Sequence, residues 1–279
     1  MPLLGPPTPT CVLTSTAPPS TTAGHATDRY VEIGSFTKVL TGTALTRLAS
    51  ADILTLDDPV DRWLPAAPSG TGITLRGLAE HTSGLPRLPP GLGGGRDPYA
   101  PFDAEALQAL LPRLTDIAVR PPGGEPEYSN LGYAVLGAAL EKAAGLPYEE
   151  LLSAYVLEPL GVREITARPD PALRLLAPGR LGRPRRPWTT TGAILPAGGL
   201  WATPRAVADT LTRLVLDGRL GPPSPSWQRS GTLHWHNGAT RHASLFAGAA
   251  ADGRWVVVHR LNGSPGGTDQ LGARMLKGT

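Results

Sequence analysis

The chain has 279 residues, a length for one or two domains. Hydrophobic residues make up 41% and charged residues 18%, which supports a buried core and excludes a disordered, fibrous or disulfide-stapled chain. The formal net charge of +3 is too balanced to imply a nucleic-acid partner, and no apolar run approaches the roughly 18 residues of a membrane helix.

Met1 to Ala23 contains no Lys or Arg and six prolines. Without a basic start and an apolar run it is not a secretory signal, so a cytoplasmic location is expected. Cys11 is the single cysteine; with no motif around it, it is a small structural thiol. Residues 10–16 and 30–33 are strand-like: short, β-branched and bounded by turn residues. From Ser35 to Ala51 the apolar residues recur at helical spacing. Residues 56–65 form a short capped turn, and Thr74 caps a helix over 75–80. A Gly/Pro loop covers 84–101, and Asp103 caps a helix over 104–114.

A second loop, 121–126, leads to Tyr128, and a long helix over 131–144 stops at Gly145. Residues 148–157 are helical again. The basic cluster Arg174 to Arg186 lies among Pro and Gly and is expected to be a solvated loop. Thr203 and Pro204 open a helix to Leu216. Strands follow at 232–235, 243–249 and 255–261, the last two joined by a turn at Ala251-Asp252-Gly253, and 271–277 is a closing helix. Strands at both ends and helices between them predict a sheet domain built from 1–66 and 188–279, with a helical domain, 67–187, inserted.

Three short motifs carry chemistry. Ser35-Phe36-Thr37-Lys38 lies at a strand-to-helix junction, where residue i+3 returns to the same face. A base beside a hydroxyl, in the field of a helix N-terminus, is what a serine nucleophile needs. With 13 Ser and three Lys the pattern is expected about 0.14 times by chance, so alone it reads equally as a capping Ser and a solvated Lys. Tyr128-Ser129-Asn130 precedes the long helix. Asn130 is a natural cap there, while a phenol beside an ammonium has a lowered pKa, which would suit Tyr128 to be a general base. His236-Asn237-Gly238 is weak alone, a strand-edge His and a Gly bulge. Its value lies in the order of the three motifs. No Cys, Asp or Glu near His234 and His236 in sequence completes a metal site, and no cofactor is implied.

With Tyr30-Val31-Glu32-Ile33-Gly34-Ser35, Leu56-Asp57-Asp58-Pro59-Val60, Ile73-Thr74-Leu75-Arg76-Gly77-Leu78, His81-Thr82-Ser83-Gly84-Leu85-Pro86, Glu127 to Tyr133 and Pro196-Ala197-Gly198-Gly199-Leu200, the chain resembles the serine β-lactamase and penicillin-binding-protein superfamily, in its class C-like esterase branch. The resemblance implies an α+β fold, a five-stranded antiparallel sheet flanked by helices with an inserted helical domain, and an active site between the two. It implies Ser35 as acyl-accepting nucleophile, Lys38 and Tyr128 sharing proton transfer, and Asn130 orienting Lys38 or the substrate. It also implies an oxyanion hole from the N–H groups of Ser35 and Ala239, with Gly238 admitting the substrate. His81 is expected to be structural. The segment before Ser35 is short for this superfamily, so a reduced edge strand is expected.

Many relatives place Lys-Thr-Gly or Lys-Ser-Gly where this chain has His236-Asn237-Gly238. An imidazole supplies no permanent cation at pH 7, which weakens recognition of an anionic β-lactam unless Arg241 compensates. The bulky pair Arg241 and His242 alters one wall of the cleft. The expected function is a serine hydrolase of carboxylic esters, or an acyl transferase, with a small-molecule ester or amide substrate and neither a nucleic-acid nor a membrane partner. A β-lactamase or D-peptidase (a DD-carboxypeptidase-like enzyme) is the alternative, and a catalytically silent binding module is the third reading.

Overall fold

The computed structural model describes residues 7–92, 96–179 and 183–278. Residues 93–95 of the expected 84–101 loop, and residues 180–182 of the basic cluster, lie outside them. The strands are β1 (Thr10–Thr14), β2 (Ser20–Thr22), β3 (Val31–Glu32), β4 (Ile165–Thr166), β5 (Trp201–Ala202), β6 (Gln228–Ser230), β7 (Leu233–Ala239), β8 (Ala243–Ala249) and β9 (Trp255–Leu261). The longer helices are α1 (Thr37–Ser50), α2 (Asn130–Ala144), α3 (Pro204–Leu211) and α4 (Pro265–Lys277).

The main sheet has six strands, in the order β2-β1-β9-β8-β7-β6. Its paired neighbours are antiparallel. The expected count of five was short by one. β1, expected as a reduced edge strand, is complete and interior, pairing along its length with β9 and on its other side with β2; β2 and β6 are the exposed three-residue edge strands. The expected strand at 30–33 does not join this sheet. Val31–Glu32 pairs instead with Trp201–Ala202 in a small sheet ordered β3-β5-β4. β4 comes from the middle of the chain, so this sheet ties the segment before Ser35 to residues far along the sequence.

Helix ends follow their capping residues. Thr74, Asp103 and Thr203 accept the N–H groups of Gly77, Ala106 and Ala206. Gly145 ends α2 in the left-handed region, φ +67°. The helix expected over 104–114 is Ala104–Leu110, followed by two short turns to Ile117. α3 continues in a wider π turn to Leu216. The closing helix begins six residues before the expected start, because Ser264 caps it with Pro265 in its first turn. Its Gly272 lies against Phe246 of β8. One continuous apolar core joins α1, α2, α3 and the inner face of the sheet. Cys11 is buried in it, and burial pushes its thiol up to about 12, so it is inert. No described helix is long and apolar enough to cross a membrane.

The basic cluster is only partly solvated. Arg183, Arg185 and Arg186 are exposed, but Arg174 donates to Pro169 O and lies over the Trp201 ring at 5.5 Å.

Candidate active site

Ser35 sits on one 3-10 turn, Gly34–Phe36, that runs directly into α1. Gly34 has φ +50°, and a Cβ on it would lie 2.7 Å from Ala239 N. A Cβ on Gly238 would overlap the Ile33 carbonyl oxygen. β7 therefore crosses this turn at backbone contact, and two glycines permit the approach.

Lys38, one turn into α1, has no exposed surface. Its Nζ lies 2.8 Å from Asn130 Oδ1, 2.5 Å from Ala197 O and 3.3 Å from Ser35 Oγ. Burial holds its pKa well below the ordinary lysine value, with Arg87 pushing the same way. A neutral amine has two N–H groups and one lone pair. Asn130 and Ala197 are pure acceptors at these atoms and use both N–H groups. In that neutral form the lone pair faces Ser35 Oγ.

Tyr128 OH is 2.5 Å from Ser35 Oγ. Here a sequence expectation fails. Burial raises the Tyr128 pKa, and the hydrogen bond shared with Ser35 and the charge of Arg87 offset it only in part. The expected lowering presumed a neighbouring ammonium, but the same burial that disfavours phenolate also disfavours that cation. Tyr128 is a proton-holding phenol at neutral pH, and the amine is the basic member of the pair. Its ring packs at a tilt against His81, at 4.6 Å, and lies under the Arg87 guanidinium, at 5.1 Å.

Ser129, and not Asn130, caps α2 by accepting Gly132 N–H at 2.8 Å. Asn130 is thereby released to face Lys38. His81 adopts φ +64° and its Nδ1 accepts the Ser129 N–H at 3.0 Å. Burial, with Lys38 and His236 nearby, pushes His81 down to about 3, so it is a neutral support for the Tyr128–Asn130 turn.

On β7, Thr240 N–H bonds Ala243 O and Gly238 pairs with Leu245. The alternation of an antiparallel ladder then directs the Ala239 N–H away from β8. Ala239 lines the same cavity as Ser35. His236 does not. It is 1% exposed, its Nδ1 donates to Asn237 O, and burial pushes it down to about 4. The Asn237 side chain turns to α4 and donates to Asp269. Neither replaces a substrate-binding cation, because successive strand residues face opposite sides and both sides here are covered. Arg241 is committed as well, donating to Arg96 O at 2.8 Å.

The cavity at Ser35 is about 30 Å³, the share of one water. Beyond Ser35, Asn130 and Ala239 its walls include Tyr99, Trp188, Thr190 and Thr240. Tyr99 and Trp188 meet edge to face at 5.4 Å, and Asp97 accepts the Thr189 N–H at 2.8 Å, joining the two segments that cover the site. Tyr99, Trp188, Arg87 and the Ala197 carbonyl escape the sequence reading. Pro196 to Leu200 was visible as a motif, but nothing local says that its carbonyl meets Lys38. A larger groove of about 850 Å³ opens beside α2 and is lined by none of the three motifs. Among the described residues, no three His, Cys, Asp or Glu side chains come together as a metal site would require.

Residues 15–275 match the family model described as Beta-lactamase. The chain is 34% identical over 185 residues to the D-alanyl-D-alanine-carboxypeptidase/endopeptidase AmpH of Escherichia coli, covering 63% of this chain and 46% of that protein. It is 35% identical over 173 residues to the esterase EstB of Burkholderia gladioli, covering 56% and 43%. The chain thus spans less than half the length of either curated relative. Among solved structures, a beta-lactamase/D-alanine carboxypeptidase from Yersinia pestis superposes with a TM-score of 0.74 at 22% identity, over 97% of this chain and 92% of that one. At that identity the likeness is one of fold, and the fold is the β-lactamase/transpeptidase-like one.

Proposed function

The chain belongs to the beta-lactamase family, and from that membership we propose that it is a serine hydrolase of short carboxylic esters, working through an acyl-Ser35 intermediate. The observation that carries the proposal is the buried Lys38, whose two N–H groups are taken by Asn130 Oδ1 and Ala197 O while its third position faces Ser35 Oγ. Lys38 takes the hydroxyl proton as Ser35 Oγ bonds the acyl carbon. The carbonyl oxygen becomes an oxyanion beside the N–H groups of Ser35 and Ala239. As the C–O bond of the ester breaks, Tyr128 O–H donates to the departing alkoxide and recovers a proton from Lys38. Water, activated by the same groups, then releases the acid. We also propose that the cleft divides an inserted part, 67–187, which carries Tyr128 and Asn130, from a part formed by 1–66 and 188–279, which carries Ser35 and Ala239.

Esters are favoured over β-lactams because the position expected to hold a carboxylate-binding cation is the buried, neutral His236. The narrow cavity, about 30 Å³ and walled in part by Tyr99 and Trp188, favours a small acyl group. With 4-nitrophenyl esters, kcat/KM is expected to fall about tenfold or more from acetyl to octanoyl, as the longer chain must disrupt the aromatic contact. Chromogenic cephalosporin is expected to turn over at least about a hundredfold more slowly than the acetyl ester, for want of the charge-assisted contact. The identity to a D-alanyl-D-alanine carboxypeptidase makes a D-Ala-D-Ala peptide the second substrate for the same assay. Faster turnover of that peptide or of the cephalosporin than of the acetyl ester overturns the ester reading.

A further inference from the structure

Behind the wall that carries Ala239 lies a buried carboxyl group that the reaction above does not use. Glu32 stands three residues before Ser35, is 8% exposed, and accepts a hydrogen bond from Thr240 Oγ1 at 3.1 Å. Thr240 lines the cavity with Ser35. Glu32 is also fixed through its backbone. In β3 it pairs with Trp201, and its carbonyl accepts from His259 Nε2 at 3.1 Å.

A one-directional chain ends at that carbonyl. Glu32 O can only accept, so His259 Nε2 donates to it; with both rings neutral, His25 Nε2 then donates to His259 Nδ1 at 2.8 Å, and His25 Nδ1, 2.8 Å from Ala26 N and 2.9 Å from Ala26 O, accepts the Ala26 N–H. Both imidazoles are neutral in this arrangement, and burial pushes both pKa values down. They therefore hold the Glu32 backbone without offering its carboxylate a cation. The other charged or titratable groups on surrounding elements are turned elsewhere. Arg174, against Trp201 of the paired strand, donates to Pro169 O. Arg241, beyond Thr240, donates to Arg96 O. His242 is held below its ordinary value by partial burial and by Arg185 and Arg241.

We infer that Glu32 is a positioning residue that acts through Thr240, setting whether the cavity wall beside Ala239 donates or accepts a hydrogen bond. An ionised Glu32 can only accept, so the Thr240 hydroxyl donates its hydrogen bond to Glu32 and Thr240 shows lone pairs to the cavity. A neutral Glu32 donates its own proton to Thr240 Oγ1, and the Thr240 proton turns to the substrate. Burial raises the Glu32 pKa to about 7, with the Thr240 bond opposing the rise, so the exchange falls in the working pH range. The substrate class it discriminates is an ester with an acceptor, a carboxylate above all, on the part that meets this wall. That class is bound better below pH 7 than above.

The inference rests on the ester reading for its kinetic arm and stands apart from it in its spectroscopic arm. With protein labelled at the glutamate side-chain carboxyl carbon, NMR titration is expected to give one resonance, lost in Glu32→Gln, with a midpoint near pH 7. In Thr240→Val that midpoint is expected to move up, because the bond that favours the carboxylate is gone. A Glu32 midpoint in the ordinary range near 4.5, or one unmoved in Thr240→Val, overturns the inference whatever the enzyme hydrolyses. In the kinetic arm, KM for the 4-nitrophenyl monoester of succinic acid is expected to rise about tenfold from pH 6 to pH 8, the worth of one hydrogen bond to a charged group. KM for the butyrate ester is expected to change little. In Glu32→Gln the succinyl KM is expected to be flat, while kcat keeps the pH dependence set by Lys38. A succinyl KM profile that survives in Glu32→Gln refutes the role. Absence of any ester turnover refutes the proposed function and leaves the titration to decide this inference.

Discussion

Lys38→Met is expected to lower kcat for short esters by about 10³-fold, the scale of a lost general base, with the fold retained. Methionine fills nearly the volume of the lysine stem, so the packing around α1 survives. The loss falls on the proton path and on Asn130 Oδ1 and Ala197 O, which lose their donor at about 1–3 kcal/mol each. Lys38→Arg is expected to be as inactive although it carries a permanent cation, because a guanidinium does not release its proton in this pH range. That pair separates a base from a mere positive charge. In the wild type, kcat/KM is expected to rise with pH through the depressed Lys38 pKa and then level, since the neutral amine is the active form and burial favours it. Steady-state rates between pH 5 and 9, with circular dichroism on each variant, check the set. Activity within tenfold of wild type in either variant removes Lys38 from the reaction.

The protein is also expected to be acid-labile, losing about 2–3 kcal/mol of stability per pH unit between pH 6 and 5. His81, His236 and His259 are held neutral by burial, with pKa values pushed down to about 3, 4 and 3. Each is free to protonate near pH 6.5 once the chain unfolds. Their stabilisation is therefore present above pH 6.5 and is lost as pH falls toward the folded values. Glu32 has the opposite sign. Its pKa is raised to about 7, so its contribution is full below the unfolded value and is lost as pH rises through 7. Between pH 6 and 5 the unfolded chain holds nearly three histidine protons that the folded chain lacks, while the folded chain alone holds the Glu32 proton. The balance of about two protons sets the slope. Thermal melts from pH 7 to pH 5 are expected to show a drop of about 5 °C or more. A melting temperature constant over that range contradicts the buried neutral histidines.

Much of the site was legible because it is local. Ser35 and Lys38 are brought together by helix geometry alone, and Thr74, Asp103, Thr203 and Gly145 end their helices through bonds within a few residues. What failed was what depends on burial or on distant partners. Ser129 and Asn130 are equally good caps by chemistry; the choice between them is made by Lys38, 92 residues earlier in the chain. The Tyr128 pKa has the opposite sign because desolvation is not written in a neighbouring residue. β2 and β6 are exposed three-residue strands with no apolar alternation to announce them. Tyr99 and Trp188 come from two loops and meet only beside the cavity at Ser35.

The central claim is covalent catalysis by Ser35, and intact mass spectrometry tests it most directly. Wild type and Ser35→Ala are mixed with 4-nitrophenyl acetate at pH 7 and 8.5, and quenched in acid at short times. The account predicts a transient gain of one acetyl group, about 42 Da, on the wild type alone, together with nitrophenol release that Ser35→Ala lacks. Equal release by both proteins, or an adduct that persists in Ser35→Ala, contradicts it.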